Sequence, residues 1–258
     1  ALRRCEKIQD PYLALELLKL KRGFLMRRFK QKKAPEVLVA LNGEISRLNQ
    51  ECFQSEEIQQ IYHAYFQVFA LQQQVGKKEA SGEEVEKLVT KLELFELGDG
   101  YSFSSRLNAL GAISQFRFLQ GDIHRSRDAL KGALELFSSR KELVKEYTGE
   151  YIGILHNYWA RSIVLDDFSP MEFVMGKLRA LRPRGDANKK KRLESYYLIG
   201  MNYLINSGQV EENRQFWEEA IYLRDKAPGS FSERMLVQLD HFITIGYCIL
   251  GNWKQALQ

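Results

Sequence analysis

A short turn recurs along this chain at near-constant spacing, and it restricts the fold more than any other feature. Its clearest copy is Leu119-Gln120-Gly121-Asp122, followed by the helical stretch Ala133-Leu134-Glu135-Leu136. Gly208 and Gly251 mark further copies, in Asn206-Ser207-Gly208-Gln209 and Ile249-Leu250-Gly251-Asn252. Leu165-Asp166-Asp167-Phe168 is a version without glycine, and Gly76 marks a looser one. Aligned on residues 76, 121, 165, 208 and 251, the turns are 45, 44, 43 and 43 residues apart. That period fits a pair of helices. A pair this short cannot bury its apolar face alone, so consecutive pairs must stack.

The local signals between the turns are helical. Pro11, Pro35, Pro170, Pro183 and Pro228 fall at element starts or in loops, where the missing N–H costs nothing. Asp10-Pro11 and Ser169-Pro170-Met171-Glu172 each place a cap before proline at a first helical position. Ser81…Glu84, Ser139…Glu142, Ser230…Glu233 and Asn252…Gln255 have capping-box spacing. Alternating strand patterns are missing, and Asp99-Gly100 sits between two helical stretches. The caps predict helix pairs near 11–31 and 35–51, 56–76 and 82–97, and 103–119 and 122–139. Further pairs are expected near 141–165 and 169–182, 188–207 and 210–226, and 230–250 and 252–258. No Gly/Ser-rich linker divides them, so one domain over 1–258 is expected, with about five and a half hairpins. The last helix is cut after a turn or two, which predicts a native chain continuing past Gln258.

These turns and the residues around them resemble the tetratricopeptide repeat family. Its motif has a small residue and an aromatic in the first helix, a Gly-Asp-like turn, and alanines in the second. Gln120-Gly121-Asp122 supplies the turn, Ser126 stands at the first alanine position and Ala133 at a later one. Tyr247, Gly251, Trp253 and Ala256 fit the same frame, as do Gly208, Trp217 and Ala220. The match covers 107–137 and 195–258; the small-residue position is filled by Ser114, Tyr158 and Met201. The resemblance implies an all-α, right-handed superhelical stack of antiparallel helix pairs, an α-solenoid whose first helices line a concave groove. It also implies that ligand contacts recur at fixed first-helix positions. These are Asn108, Gln115 and Phe118 in the Gly121 frame, and Leu155 and Trp159 in the Leu165 frame. The Gly208 frame gives Asn202 and Asn206, and the Gly251 frame gives Gln238 and His241. The Lys/Arg positions of the family's chaperone-tail clamps are not matched.

The net charge of +5 is unevenly distributed. Residues 19–33 hold eight Lys/Arg, and 177–192 hold eight more with Asp186 alone against them; the rest carries 22 basic and 32 acidic residues. Two basic patches therefore sit on an acidic body. The first interleaves Leu20, Phe24, Leu25, Met26 and Phe29 with cations. Such a helix can lie on anionic lipid, offer itself to a groove, or pack its apolar side on the next helix. The second comprises Arg179, Arg182, Arg184, Lys189, Lys190, Lys191 and Arg192. Its last four residues open a helix, where the dipole favours negative charge, and this conflict admits an anionic partner such as nucleic acid. Tyr196 and Tyr197 lie close by but fall in the apolar period of their helix.

Signatures of catalysis are missing. His63, His124, His156 and His241 lie far apart, with no zinc spacing and no Cys-x-x-Cys. Gly98-Asp99-Gly100 is followed by Phe103 where a dinucleotide loop needs glycine, and no phosphate loop or nucleophile elbow occurs. The expectation is a non-catalytic protein with no cofactor and no metal, binding a protein or peptide in its groove; the alternative is an anionic partner at 177–192. Cys5, Cys52 and Cys248 show no paired spacing, which predicts reduced thiols and a cytoplasmic address. Charged residues interrupt every apolar run before it reaches bilayer length.

Overall fold

A computed structural model of the chain describes residues 11–27, 34–75, 82–97 and 101–252. Among them the fold is all-α, with ten α-helices, two 3-10 turns and no strand. The chain divides into two compact units, Ala1–Gln120 and Gly121–Gln258.

The first unit contains α1 (Pro11–Arg27), α2 (Ala34–Val75), α3 (Gly82–Leu97) and α4 (Phe103–Leu119). The expected break near 51–56 is not there: the helices predicted at 35–51 and 56–76 form one helix of 42 residues. No glycine or proline lies between Glu51 and Glu57, and the buried stripe runs through Leu48, Cys52, Gln54 and Ile58 without interruption. The long helix serves two sets of neighbours. Its first half buries Leu41, Ile45, Leu48 and Cys52 against Leu15 and Leu18 of α1. Farther along, Gln54 Oε1 accepts from Ser105 Oγ at 3.0 Å, and Tyr65 stacks on Phe116 while donating to its carbonyl at 3.2 Å. Arg117 of α4 is buried, and its two terminal nitrogens donate to the two oxygens of Glu86 on α3 at 2.7 and 2.8 Å. Leu20 in the first basic patch is exposed, as are Lys21 and Arg22; the side chains of Phe24, Leu25, Met26 and Phe29 lie outside the described residues.

The second unit contains α5 (Ile123–Ser139), α6 (Thr148–Val164), α7 (Met171–Ala180), α8 (Asp186–Ser207), α9 (Arg214–Lys226) and α10 (Glu233–Ile249). Several caps differ from expectation. Ser139 turns its hydroxyl back to Leu136 O, and a 3-10 turn, Lys141–Lys145, delays the next helix to Thr148. Ser232 rather than Ser230 caps α10, accepting from Met235 N, because Pro228–Ser230 is itself a 3-10 turn. Pro170 stands one residue before α7, and Ser169 donates through N–H and hydroxyl to Asp167 Oδ1 instead of capping.

Three turns of this unit share one hydrogen-bond pattern. Asp167 N–H reaches Ser162 O, Gln209 N–H reaches Leu204 O, and Asn252 N–H reaches Tyr247 O, at 2.8 to 3.0 Å. One residue earlier, Asp166, Gly208 and Gly251 bond to Ile163, Ile205 and Cys248. This Schellman closure needs a left-handed residue, here Asp166 (φ 52°), Gly208 (72°) and Gly251 (69°). Aspartate tolerates that conformation at a cost glycine avoids.

Successive first helices pack side by side, α6 against α8 and α8 against α10, while α7 packs on α6 and α8, and α9 on α10. The core of the last three helices gathers Tyr197, Met201, Leu204, Trp217, Phe231, Met235, Leu239 and Ile243. Its tightest contacts are two rings of α9 set against helical glycines, Phe216 on Gly200 of α8 and Trp217 on Gly246 of α10.

Two stability predictions follow from these contacts. A Cβ at Gly200 or Gly246 would overlap a ring, so Gly200→Ala and Gly246→Ala should each cost about 1–3 kcal/mol, outweighing the helix-propensity gain of about 1 kcal/mol. Gly176 of α7 faces open space, so Gly176→Ala should instead stabilise; urea unfolding of the three variants reads the difference in sign. Asp166→Gly should raise the unfolding free energy by up to about 1 kcal/mol and Asp166→Val lower it, as thermal melts would register.

Candidate functional site

The left-handed residue of the glycine-free turn is Asp166, not Leu165. The frame for α6 is therefore displaced by one residue, which corrects the expected site. His241 lies ten residues before Gly251, and its counterpart in α6, ten before Asp166, is His156 rather than Leu155. Asn202 lies six before Gly208, and its counterpart is Ala160 rather than Trp159. The burial agrees. Trp159 is 2% exposed, packed between Phe168 and Tyr203 at ring distances of 6.2 and 6.0 Å, and Leu155 is fully buried. Neither side chain can touch a ligand. Ile152, Leu155 and Trp159 follow a helical apolar period, a signal of core already present in the sequence.

Asn202 and Asn206 come together one turn apart on α8. The Asn206 amide donates to Asn202 O at 2.8 Å and to Asn202 Oδ1 at 3.1 Å. That arrangement fixes both amide planes, with Asn206 exposed and Asn202 half-buried. His241 is exposed on α10, the helix packed beside α8, and Gln238 is half-buried one turn before it. Asn108 is exposed, and Gln115 and Phe118 half-buried, on α4 of the first unit.

A frame anchored on Leu165 passes over His156, because the left-handed residue, Asp166, lies one position later. In the structure its Nδ1 is buried without a hydrogen-bond partner. Burial holds its pKa below the usual histidine value of 6.5, and Lys191, Arg161 and Arg234 act in the same direction. These cations come from three successive first helices: Arg161 from α6, Lys191 from α8 and Arg234 from α10. Lys191 Nζ donates to Gly149 O at 2.7 Å, across the start of α6. One turn along α8, Glu194 accepts the Ser232 N–H at 2.6 Å, which holds the beginning of α10. Arg161 reaches the other way, donating to Ser126 Oγ of α5 at 3.2 Å.

Most of the 177–192 cations are engaged within the protein. Arg182 donates to Arg179 O and Leu181 O, and Arg192 to Leu178 O, so both serve carbonyls at the end of α7. A helix C-terminus attracts positive charge, so the apparent conflict at the start of α8 is answered by the helix before it. Lys189 pairs with Asp186 at 3.1 Å, and Arg179 donates to the Tyr196 hydroxyl while lying over its ring. Arg184 and Lys190 complete the patch. Tyr196 and Tyr197 pack with Phe216 in the core, as their apolar period predicts.

Among the described residues no group of three or more His, Cys, Asp or Glu could hold a metal, and no helix is long and apolar enough to cross a membrane. No family model matches the chain, and no curated protein matches its sequence. Among solved structures, the crystal structure of BtubC (BKLC) from P. vanneervenii is similar to it. The TM-score is 0.55 at 14% identity, over all of this chain and 87% of that one. At this identity the likeness concerns the fold alone.

The His156 environment predicts a pH dependence. Its folded pKa is depressed, so the unfolded chain takes up the proton more readily. The associated stability is fully present above the unfolded value of about 6.5 and is lost as pH falls below it, towards the folded pKa. Urea melts between about pH 7.5 and pH 5 should show a steeper decline for the parent chain than for His156→Gln. Parallel curves would disprove the assignment.

Proposed function

We propose that this chain is a non-catalytic scaffold that holds a protein or peptide on the face formed by its first helices. In this reading residues 148–252 form a right-handed, tetratricopeptide-like stack of helix pairs. The observation that carries it is the recurrence of one Schellman turn at Asp166, Gly208 and Gly251, joined to the lateral packing of α6, α8 and α10. Repetition of that kind brings equivalent residues of consecutive helices onto one surface, which suits an extended ligand. Asn202, Asn206 and His241 are the contact residues of choice. Paired amides both donate to and accept from a peptide backbone. Within the described protein, Asn202 Nδ2 and Asn206 Oδ1 make no further bond. Three cysteines, Cys5, Cys52 and Cys248, scattered along the sequence with no paired spacing, accord with a reducing, cytoplasmic setting.

The test is recovery of a partner from the native host by the tagged chain, after nuclease treatment. Asn202→Ala, Asn206→Ala and His241→Ala combined should abolish recovery while leaving the melting temperature within a few degrees, since all three are polar and at least partly exposed. Undiminished recovery would overturn the face assignment. Recovery abolished by nuclease, or by Arg184→Ala with Lys190→Ala, would move the function to the basic patch.

A further inference from the structure

The corrected turn frame reveals a second set of equivalent positions. Lys191 and Arg234 each stand seventeen residues before their turn glycines, Gly208 and Gly251, and Gly149 stands seventeen before Asp166. One repeat position is thus occupied in order by Gly149, Lys191 and Arg234. The Lys191 ammonium leans onto its counterpart, donating to Gly149 O, and lies 3.4 Å from where a Cβ of Gly153 would stand. Two helical turns farther along, on the same side, the equivalent row is His156, Leu198 and His241. Lys191 and Arg234 are exposed, and neither pairs with a carboxylate among the described residues. Glu194, one turn along α8 from Lys191, accepts the Ser232 N–H.

We propose that the face shared by α6, α8 and α10 docks an acidic peptide segment, its carboxylates seated on the Lys191–Arg234 row beside His156 and His241. This rests on the scaffold reading and names the charge class of its partner. A cation repeated once per helix pair matches carboxylates spaced along an extended chain, and electrostatic complementarity of this kind sets partner choice and encounter rate. Lys191 also keeps two ammonium protons beyond the one given to Gly149 O. A nucleic acid is the poorer fit, because single strands are gripped by stacking on aromatic rings. Among the described residues of this unit, the exposed large aromatic rings, Phe173 and Tyr222, lie on the second helices α7 and α9.

The experiment is fluorescence anisotropy with the full chain and a short labelled peptide of alternating Glu and Ser, against the same peptide with Gln for Glu. The acidic peptide should bind more tightly, and Lys191→Met with Arg234→Met should weaken it about fivefold to tenfold, the range expected of two exposed ion pairs. Lys191→Arg with Arg234→Lys should restore binding, and Arg234→Met alone, which leaves the Lys191–Gly149 bond in place, should weaken it, which a purely structural role for that bond would not predict. Arg184→Met with Lys190→Met should leave binding unchanged, and circular dichroism should show all variants folded. Absence of binding, equal affinity for the Gln peptide, sensitivity confined to Arg184 and Lys190, or tighter binding of oligo-dT would each overturn the proposal. If a partner recovered from the host depends on Asn202, Asn206 and His241 while charge at 191 and 234 is irrelevant, the scaffold reading survives and the acidic partner does not.

Discussion

The second unit depends on two aromatic rings of one helix meeting two glycines of its neighbours. Phe216 and Trp217 are adjacent in α9, yet one ring lies on Gly200 of α8 and the other on Gly246 of α10. Adjacent residues on a helix point about 100° apart, so together they engage two helices at once. Any side chain at either glycine would push α9 away, and the cluster of Tyr197, Met201, Ala220, Met235 and Leu239 would lose its closure. Glycine inside a helix costs backbone entropy. The cost is offset here by contact with rings large enough to dominate the local core.

That constraint separates what the sequence disclosed from what it concealed. The turn glycines at 208 and 251 were legible because a left-handed residue is a local requirement with a local signature. The glycine-free turn was legible only approximately. Asp166 fills the left-handed position without announcing it, and the one-residue displacement exchanged buried Trp159 for Ala160 and buried Leu155 for His156. The continuous α2 was missed for the opposite reason. A helix has no need to stop where a repeat period expects it to, and nothing between Glu51 and Glu57 obliges it to do so. Gly200 and Gly246 could not be interpreted from one sequence, since their purpose lies in rings brought there by the fold.

The charges show the same division between local and tertiary causes. Taken along the chain, cations at the start of α8 oppose its dipole. In space, Arg192 and Arg182 lie against the last carbonyls of α7, where the dipole has the other sign, and Asp186 supplies the acid that the α8 terminus favours. A dense basic run is therefore largely a device for joining two helix ends. Its density in sequence overstated its availability to a partner. Lys191, in the same run, reaches a different helix and a different purpose.

Surface available for binding is set less by how many charges a segment holds than by how many the fold leaves unanswered. Arg182 and Arg192 are answered by carbonyls and Lys189 by Asp186, whereas Lys191 and Arg234 meet no carboxylate among the described residues. The two uncompensated cations occupy one repeat position, and a periodic fold places equivalent positions on a common face. His156 feels both from the next equivalent row, and with its Nδ1 buried and unpartnered it remains neutral rather than adding a third charge without a counterion. Burial is the main cause that keeps the proton off that ring, and an incoming carboxylate would relieve the repulsion from the neighbouring cations that adds to it. Charge on the face and protonation of His156 are therefore linked, and each reports on the other.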